Sequence, residues 1–194
     1  MAEKIETADP RSRLSEPKRI LLEKLLRGKA RSGSHADSIP RRQALEQIPL
    51  SYAQERLWFL DQLDPDSYLY NIAGSIRLTG HLDVLALRKT LNEIVRRHEC
   101  LRTSFGIKNG QPFQIIADSL VLDLPVVDLS MCRDRESTIE ALSFDEARRP
   151  FDLARGPLVR AALVRLGDGR HAVLLTLHHI IADGWSMGVL AREV

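Results

Sequence analysis

The stretch LHHIIADGWS, Leu177–Ser186, closes an apolar run that starts at His171 and packs two adjacent histidines, an Asp-Gly pair and a tryptophan into ten residues. The run HAVLLTLH has the length of a strand, and successive side chains of a strand point to opposite faces. His178 and His179 therefore cannot share one task. Ala172, Leu174 and Thr176 accompany His178, while Val173, Leu175 and Leu177 accompany His179. Both sets are largely apolar, which predicts a strand covered on both faces and imidazoles partly desolvated at its end, a setting that favours the neutral base. Asp183 follows across a turn, and Gly184 offers an amide without a side chain where a helix is expected to begin, at about Trp185. A neutral imidazole, a carboxylate that locks local geometry and an amide open to a developing oxyanion are the parts of an acyl-transfer site. A structural pair of core histidines bonded to backbone accounts for the same residues, and the stretch alone does not decide between the two. A metal site would need ligands converging on one point, whereas adjacent strand histidines diverge and no Cys, His or Glu cluster stands nearby in sequence.

Upstream, Leu158 to Leu166 and His171 to His178 flank Gly167-Asp168-Gly169, which reads as a hairpin. Arg102 to Ile107 and Gln111 to Ala117 flank Asn109-Gly110, the dipeptide best suited to the positive φ angles of a tight turn. Val121 to Val127 is a further strand candidate, and Asn71 to Leu78 is extended. Helices are expected over Ser51 to Leu63, Asp83 to Glu99 and Arg133 to Arg149; in the second, Leu85, Leu87, Leu91, Ile94 and Val95 fall close to one face. Mixed helices and hairpins predict an α/β (α+β) sandwich with a mixed, largely antiparallel sheet, not a doubly wound nucleotide fold.

The chain has 194 residues, 44% of them hydrophobic, enough for one domain with a real core. Its net charge of +2 conceals an asymmetry: residues 1–45 carry 11 Lys+Arg against 6 Asp+Glu, the remainder 17 against 20. Leu14 to Gly28 reads as a short helix, and the breaker-rich KARSGSHADSIPRRQ after it as a connector. This places a boundary near Ala44, between a basic leader (1–45) and the body (46–194). The leader lacks aromatic interleaving and any recognised binding motif, so nucleic acid is set aside. No stretch reaches the length of a membrane span, and the charged start MAEKIETADP lacks the apolar centre of a secretory signal, which points to the cytoplasm. Cys100 and Cys132 lie far apart and outside metal or redox spacings, and are expected as buried, reduced thiols.

Two further segments bear on the histidines. PLSYAQERLWFLDQL (Pro49 to Leu63) and RRHECLRTSF (Arg96 to Phe105), taken with LHHIIADGWS, resemble the condensation domains of nonribosomal peptide synthetases. The family's S-x-A-Q-x-R-L-W-x-L is met by Ser51, Ala53, Gln54, Arg56, Leu57, Trp58 and Leu60. R-H-E-x-L-R-T-x-F is met by Arg97, His98, Glu99, Leu101, Arg102, Thr103 and Phe105, and H-H-x-x-x-D-G by His178, His179, Asp183 and Gly184. The motifs come in the family's order, YNIAGSIRLTGHLD and PFDLARGPLVRAALVRL between them are also similar to it, and the resemblance runs from about Ile48 to the last residue. Ala182 stands where the family often has serine.

The resemblance implies the N-terminal lobe of a chloramphenicol-acetyltransferase-like fold, whose two lobes enclose a tunnel. It implies amide formation between an upstream carrier-bound acyl or peptidyl thioester and the amine of a downstream aminoacyl thioester. The related alternatives are an ester-forming acyltransferase, or an incomplete fragment that only docks to carrier domains or a second lobe. His179 would be catalytic, as base or as positioner of the amine, with the Gly184 amide as oxyanion donor. His178, Asp183, Arg97 and Arg102 would support the site, Asp183 pairing with Arg97. His98 and Glu99, at a helix end, and Leu57, Trp58 and Leu60 are assigned no chemistry. No cofactor or metal is implied for the chain itself, since substrates ride on the phosphopantetheine of peptidyl carrier domains. Further partners would be an adenylation domain and the C-terminal lobe. Members run to about 450 residues on the usual domain-size scale, so a single lobe is expected here, with an apolar surface where its partner packs. SYAQERLWFLDQL implies the subtype that accepts an L-configured upstream residue. SRLSEPKRILLEKLLRGKA is similar to the docking or inter-module segment before such domains, with a passive tether as the alternative. Ser119 in IADSL lacks the glycine and helix start of a carrier attachment site and is read as an ordinary residue.

Overall fold

Hydrogen-bonding needs and apolar periodicity sort the body into two sheets and the helices that cover them. The structure, a computed structural model, describes residues 47–194; the helix expected over Leu14 to Gly28 lies outside them. In chain order the elements are β1 (Ile48–Pro49), α1 (Tyr52–Leu63), β2 (Asn71–Thr79), α2 (Val84–Arg97), a 3-10 turn (Glu99–Arg102), β3 (Thr103–Lys108), β4 (Gln111–Ile116), β5 (Val126–Asp128), α3 (Arg135–Arg148), β6 (Val159–Gly167), β7 (Arg170–His178) and α4 (Gly184–Glu193). The main sheet has the order β2-β7-β6-β5 and a smaller one β1-β4-β3. Among the described residues only β5 and β6 pair in parallel. The α/β class and the largely antiparallel pairing are as the sequence predicts.

Both glycine-bearing turns form hairpins. Asn109 and Gly110 take φ of 54° and 76°, and Gly167, Asp168 and Gly169 take 81°, 53° and 68°, the left-handed region these residues enter at least cost. β7 runs between β2 and β6, with Asn71 opposite His178 and Val159 opposite Leu177. Its alternation divides the core. Val173, Leu175 and Leu177 face the cluster built with Leu87, Leu91, Ile94 and Val95 of α2. Ala172 and Leu174 face a second cluster with Leu166, Val164 and Ile139 of α3. Each fully buried aliphatic side chain contributes about 1.5–3 kcal/mol, so the two layers fix the strand's register.

Two local expectations fail for identifiable reasons. Leu85 is exposed: it lies two residues from Leu87, on the far side of α2 from the buried stripe. Val121 to Val127 is a strand only from Val126. Before it, Leu122 donates its N–H to Asn92 Oδ1 at 2.8 Å and accepts from Asn92 Nδ2 at 3.1 Å, and Leu124 O accepts from Arg88 Nη2 at 3.2 Å. Side chains of α2 satisfy this backbone in place of a neighbouring strand. The thiols form no disulfide, but Cys100 is exposed and not buried as expected. No helix among the described residues is long and apolar enough to cross a membrane.

Candidate active site

His178 is the last residue of β7 and His179 the first of the turn after it, and the two diverge in burial. His178 turns inward, 3% exposed, with its ring 6.4 Å from Tyr70 and edge-on to Phe151 at 6.2 Å. The Arg160 guanidinium lies 3.7 Å from the Phe151 ring centroid. His178 Nδ1 accepts from Ile180 N at 3.1 Å, which requires an unprotonated nitrogen. Burial, with a smaller push from His179, lowers its pKa from 6.5 to about 4. His178 is thus a neutral structural imidazole at physiological pH.

His179 is exposed, whereas the sequence predicts both rings partly buried. Its backbone N–H donates to Tyr70 O at 2.8 Å, and its Nδ1–H donates to Ala182 O at 2.7 Å. Because a carbonyl can only accept, this contact puts the neutral ring's proton on Nδ1 and leaves Nε2 with a free lone pair. The ring borders a cleft of about 530 Å³ lined also by Gln54, Arg56, Tyr70, Asp183 and Ser186. An oriented imidazole with an open Nε2 can take a proton from, or align, an incoming amine.

Asp183 caps α4. Its carboxylate accepts from Ser186 N at 2.8 Å and Ser186 Oγ at 2.6 Å, while Ser186 Oγ accepts from Asp183 N at 3.3 Å. These hydrogen bonds hold the carboxyl below the usual carboxylate range. The pairing with Arg97 expected from the resemblance is absent: Arg97 meets Glu193 at 3.4 Å, and His98 Nε2–H donates to the same carboxylate at 2.9 Å. Asp183 sits at the first turn of α4, where its Oδ1 takes both Ser186 bonds, while Arg97 and His98, at the end of α2, face the last turn. The second motif therefore holds the helix of the third through Glu193. Arg102 donates to Ala117 O and lies 3.8 Å from Glu99, tying the 3-10 turn to the end of β4. Neither arginine lines the cleft. Gly184 is the first residue of α4, a position whose N–H has no intrahelical partner, and a Cβ there would meet nothing within 4 Å. It borders the cleft-lining residues without being one of them.

The first motif contributes more than core. Leu57 and Trp58 pack partly buried against the main cluster. Gln54, however, closes a capping box with Ser51 and donates through Nε2 to Ile180 O at 3.2 Å, tying α1 to the loop behind His179. The S-x-x-Q spacing at the head of this helix was the available signal for the box; nothing in the sequence foretold the bond to Ile180. Among the described residues no group of three His, Cys, Asp or Glu side chains is placed to hold a metal ion.

Fold and site together define an α/β lobe that presents one exposed histidine, with its tautomer fixed by Ala182 O, just past the end of a central strand. Comparison with known proteins gives the class a family. Residues 44–194 match the condensation domain family model. A linear gramicidin synthase polypeptide of Brevibacillus parabrevis is 47% identical over 168 residues, covering 84% of this chain and 2% of that protein. The starter condensation domain of rhizomide synthetase RzmA superposes with a TM-score of 0.72 at 27% identity, over 77% of this chain and 38% of that one. The first condensation domain of the calcium-dependent antibiotic synthetase, in complex with a substrate analogue, gives 0.71 at 30% identity over 77% and 36%. The chain belongs to the condensation domain family of nonribosomal peptide synthetases. It spans a small fraction of the curated relative and a little over a third of the solved domains.

Proposed function

We propose that the chain is the N-terminal lobe of a condensation domain that forms an amide between an upstream acyl or peptidyl thioester and the amine of a downstream aminoacyl thioester. The single observation that carries this reading is the His179 contact to Ala182 O, which leaves Nε2 open beside the cleft. A thioester is already activated, so alignment of the amine contributes alongside proton removal. The substrates arrive on phosphopantetheine arms of peptidyl carrier domains, with an adenylation domain adjacent, an L-configured donor and a cytoplasmic setting. Gly184 N–H is a donor available near the reaction. Residues 1–45 are a docking or linking segment ahead of the lobe.

A C-terminal lobe is the further partner that completes the tunnel. Tyr52, Phe59 and Leu63, at i, i+7 and i+11 on α1, are 92%, 56% and 66% exposed, and Trp185 is 82% exposed, which supports a missing packing partner. The test is mass spectrometry of the product formed from loaded carriers, with the second lobe supplied. A carrier-bound amide supports the reading. Amide formation failing while a carrier loaded with a hydroxyacyl acceptor yields an ester supports the related acyltransferase, and absence of any product supports a docking fragment.

A further inference from the structure

We propose that the Arg56 guanidinium stabilises the oxyanion of the acyl-transfer step at His179, an inference that rests on the amide-forming reading. Arg56 lines the same cleft as His179, from the face of α1 that also presents Ala53 and Leu57 at i−3 and i+1. Its position is fixed close by, since Gln54, two residues earlier, is bonded to Ile180 O. Among the described residues the Arg56 side chain has no hydrogen bond and no ion pair. The arginines of the second motif are committed elsewhere, Arg97 to Glu193 and Arg102 to Ala117 O and Glu99. Asp183, the carboxylate that borders the cleft, takes Ser186 N–H and Oγ–H on Oδ1 and forms no ion pair with Arg56. A cation without a partner among the described residues therefore lines this cleft.

The reaction generates the charge such a cation matches. The neutral amine nitrogen attacks the thioester carbonyl carbon, a C–N bond forms and the π pair moves onto oxygen. Collapse of this intermediate restores the C=O bond and breaks the C–S bond, expelling the phosphopantetheine thiolate. The proton lost by the amine passes to His179 Nε2 and from there to the sulfur. Full negative charge on oxygen exists only between these events, so a guanidinium directed at it binds the transition state more strongly than the substrate. Gly184, the alternative donor, stands outside the cleft lining.

The experiment is single-turnover amide formation from loaded carriers by the protein completed with its second lobe, comparing wild type, Arg56→Gln, Arg56→Lys and Arg56→Ala. Arg56→Gln is expected to lose about 10²–10³-fold in the chemical step, the loss usual for one oxyanion donor, with the KM for the acceptor carrier unchanged. Arg56→Lys regains part of the rate, and added guanidinium ion restores part of it to Arg56→Ala where urea does not. Undiminished rate in Arg56→Gln beside an active wild type overturns the inference alone, as does equal loss in the Gln and Lys variants without guanidinium rescue. A wild type that forms no amide overturns the amide reading and this inference with it.

Discussion

Acidification from pH 7 to pH 5 should destabilise this lobe through His178, and replacing that residue should remove the effect. The folded imidazole has a pKa of about 4 against 6.5 when free, because it is buried. Between those values the unfolded chain binds a proton on this ring that the folded chain does not. Stability from the neutral ring is therefore fully present above pH 6.5 and is lost as pH falls towards 4. One proton of difference corresponds to about 1.4 kcal/mol per pH unit, or about 2 kcal/mol by pH 5 and about 3 kcal/mol at the limit. His178→Asn retains an acceptor for Ile180 N, since Oδ1 can replace Nδ1, but does not titrate. Carboxyls held low by hydrogen bonds, such as Asp183 and Asp128, lose their contribution only at lower pH and stay outside the window. The assay is urea unfolding at pH 7, 6 and 5. His178→Asn should be less stable at pH 7, through lost ring packing against Tyr70 and Phe151, yet lose about 2 kcal/mol less than wild type between pH 7 and 5. Parallel losses in the two proteins would refute the reasoning.

Further expectations concern the parts that hold the site. Asn92→Ala leaves both the N–H and the C=O of Leu122 without their partner, so it should cost about 2–3 kcal/mol in urea unfolding, while Asn92→Asp, which keeps the acceptor, costs less. Asp183→Ala should lower the thermal midpoint and slow amide formation because the cap of α4 is lost. Asp183→Asn, still able to accept from Ser186 N, should keep most of both; equal damage from the two would argue against the capping role.

The hairpins and the central strand were legible because their signals are local. Asn109-Gly110 and Gly167-Asp168-Gly169 demand left-handed backbone, and the apolar alternation of β7 marks a strand that ends with His178 buried and leaves His179 exposed in the turn that follows. Signals that depend on distant partners were weaker. Val121 is apolar and β-branched, but whether its segment finds a strand or the side chains of Asn92 and Arg88 is decided by how α2 lies across it. Arg97 was expected to reach Asp183; the distance along α4 instead brings it to Glu193, one helix length away. The roles of Gln54 and Arg56 were hidden for the same reason: the motif names the residues, and only the packing of α1 against the loop after β7 shows what they border.

The division between the two histidines is the central claim, and the rate of amide formation in His179→Ala tests it most directly. His179 is exposed and, among the described residues, its ring bonds only to a loop carbonyl, so the variant should fold like the wild type. Loss of a positioned imidazole should cost about 10²–10⁴-fold in single-turnover rate from loaded carriers. A folded His179→Ala variant that forms the amide at the wild-type rate would contradict the account.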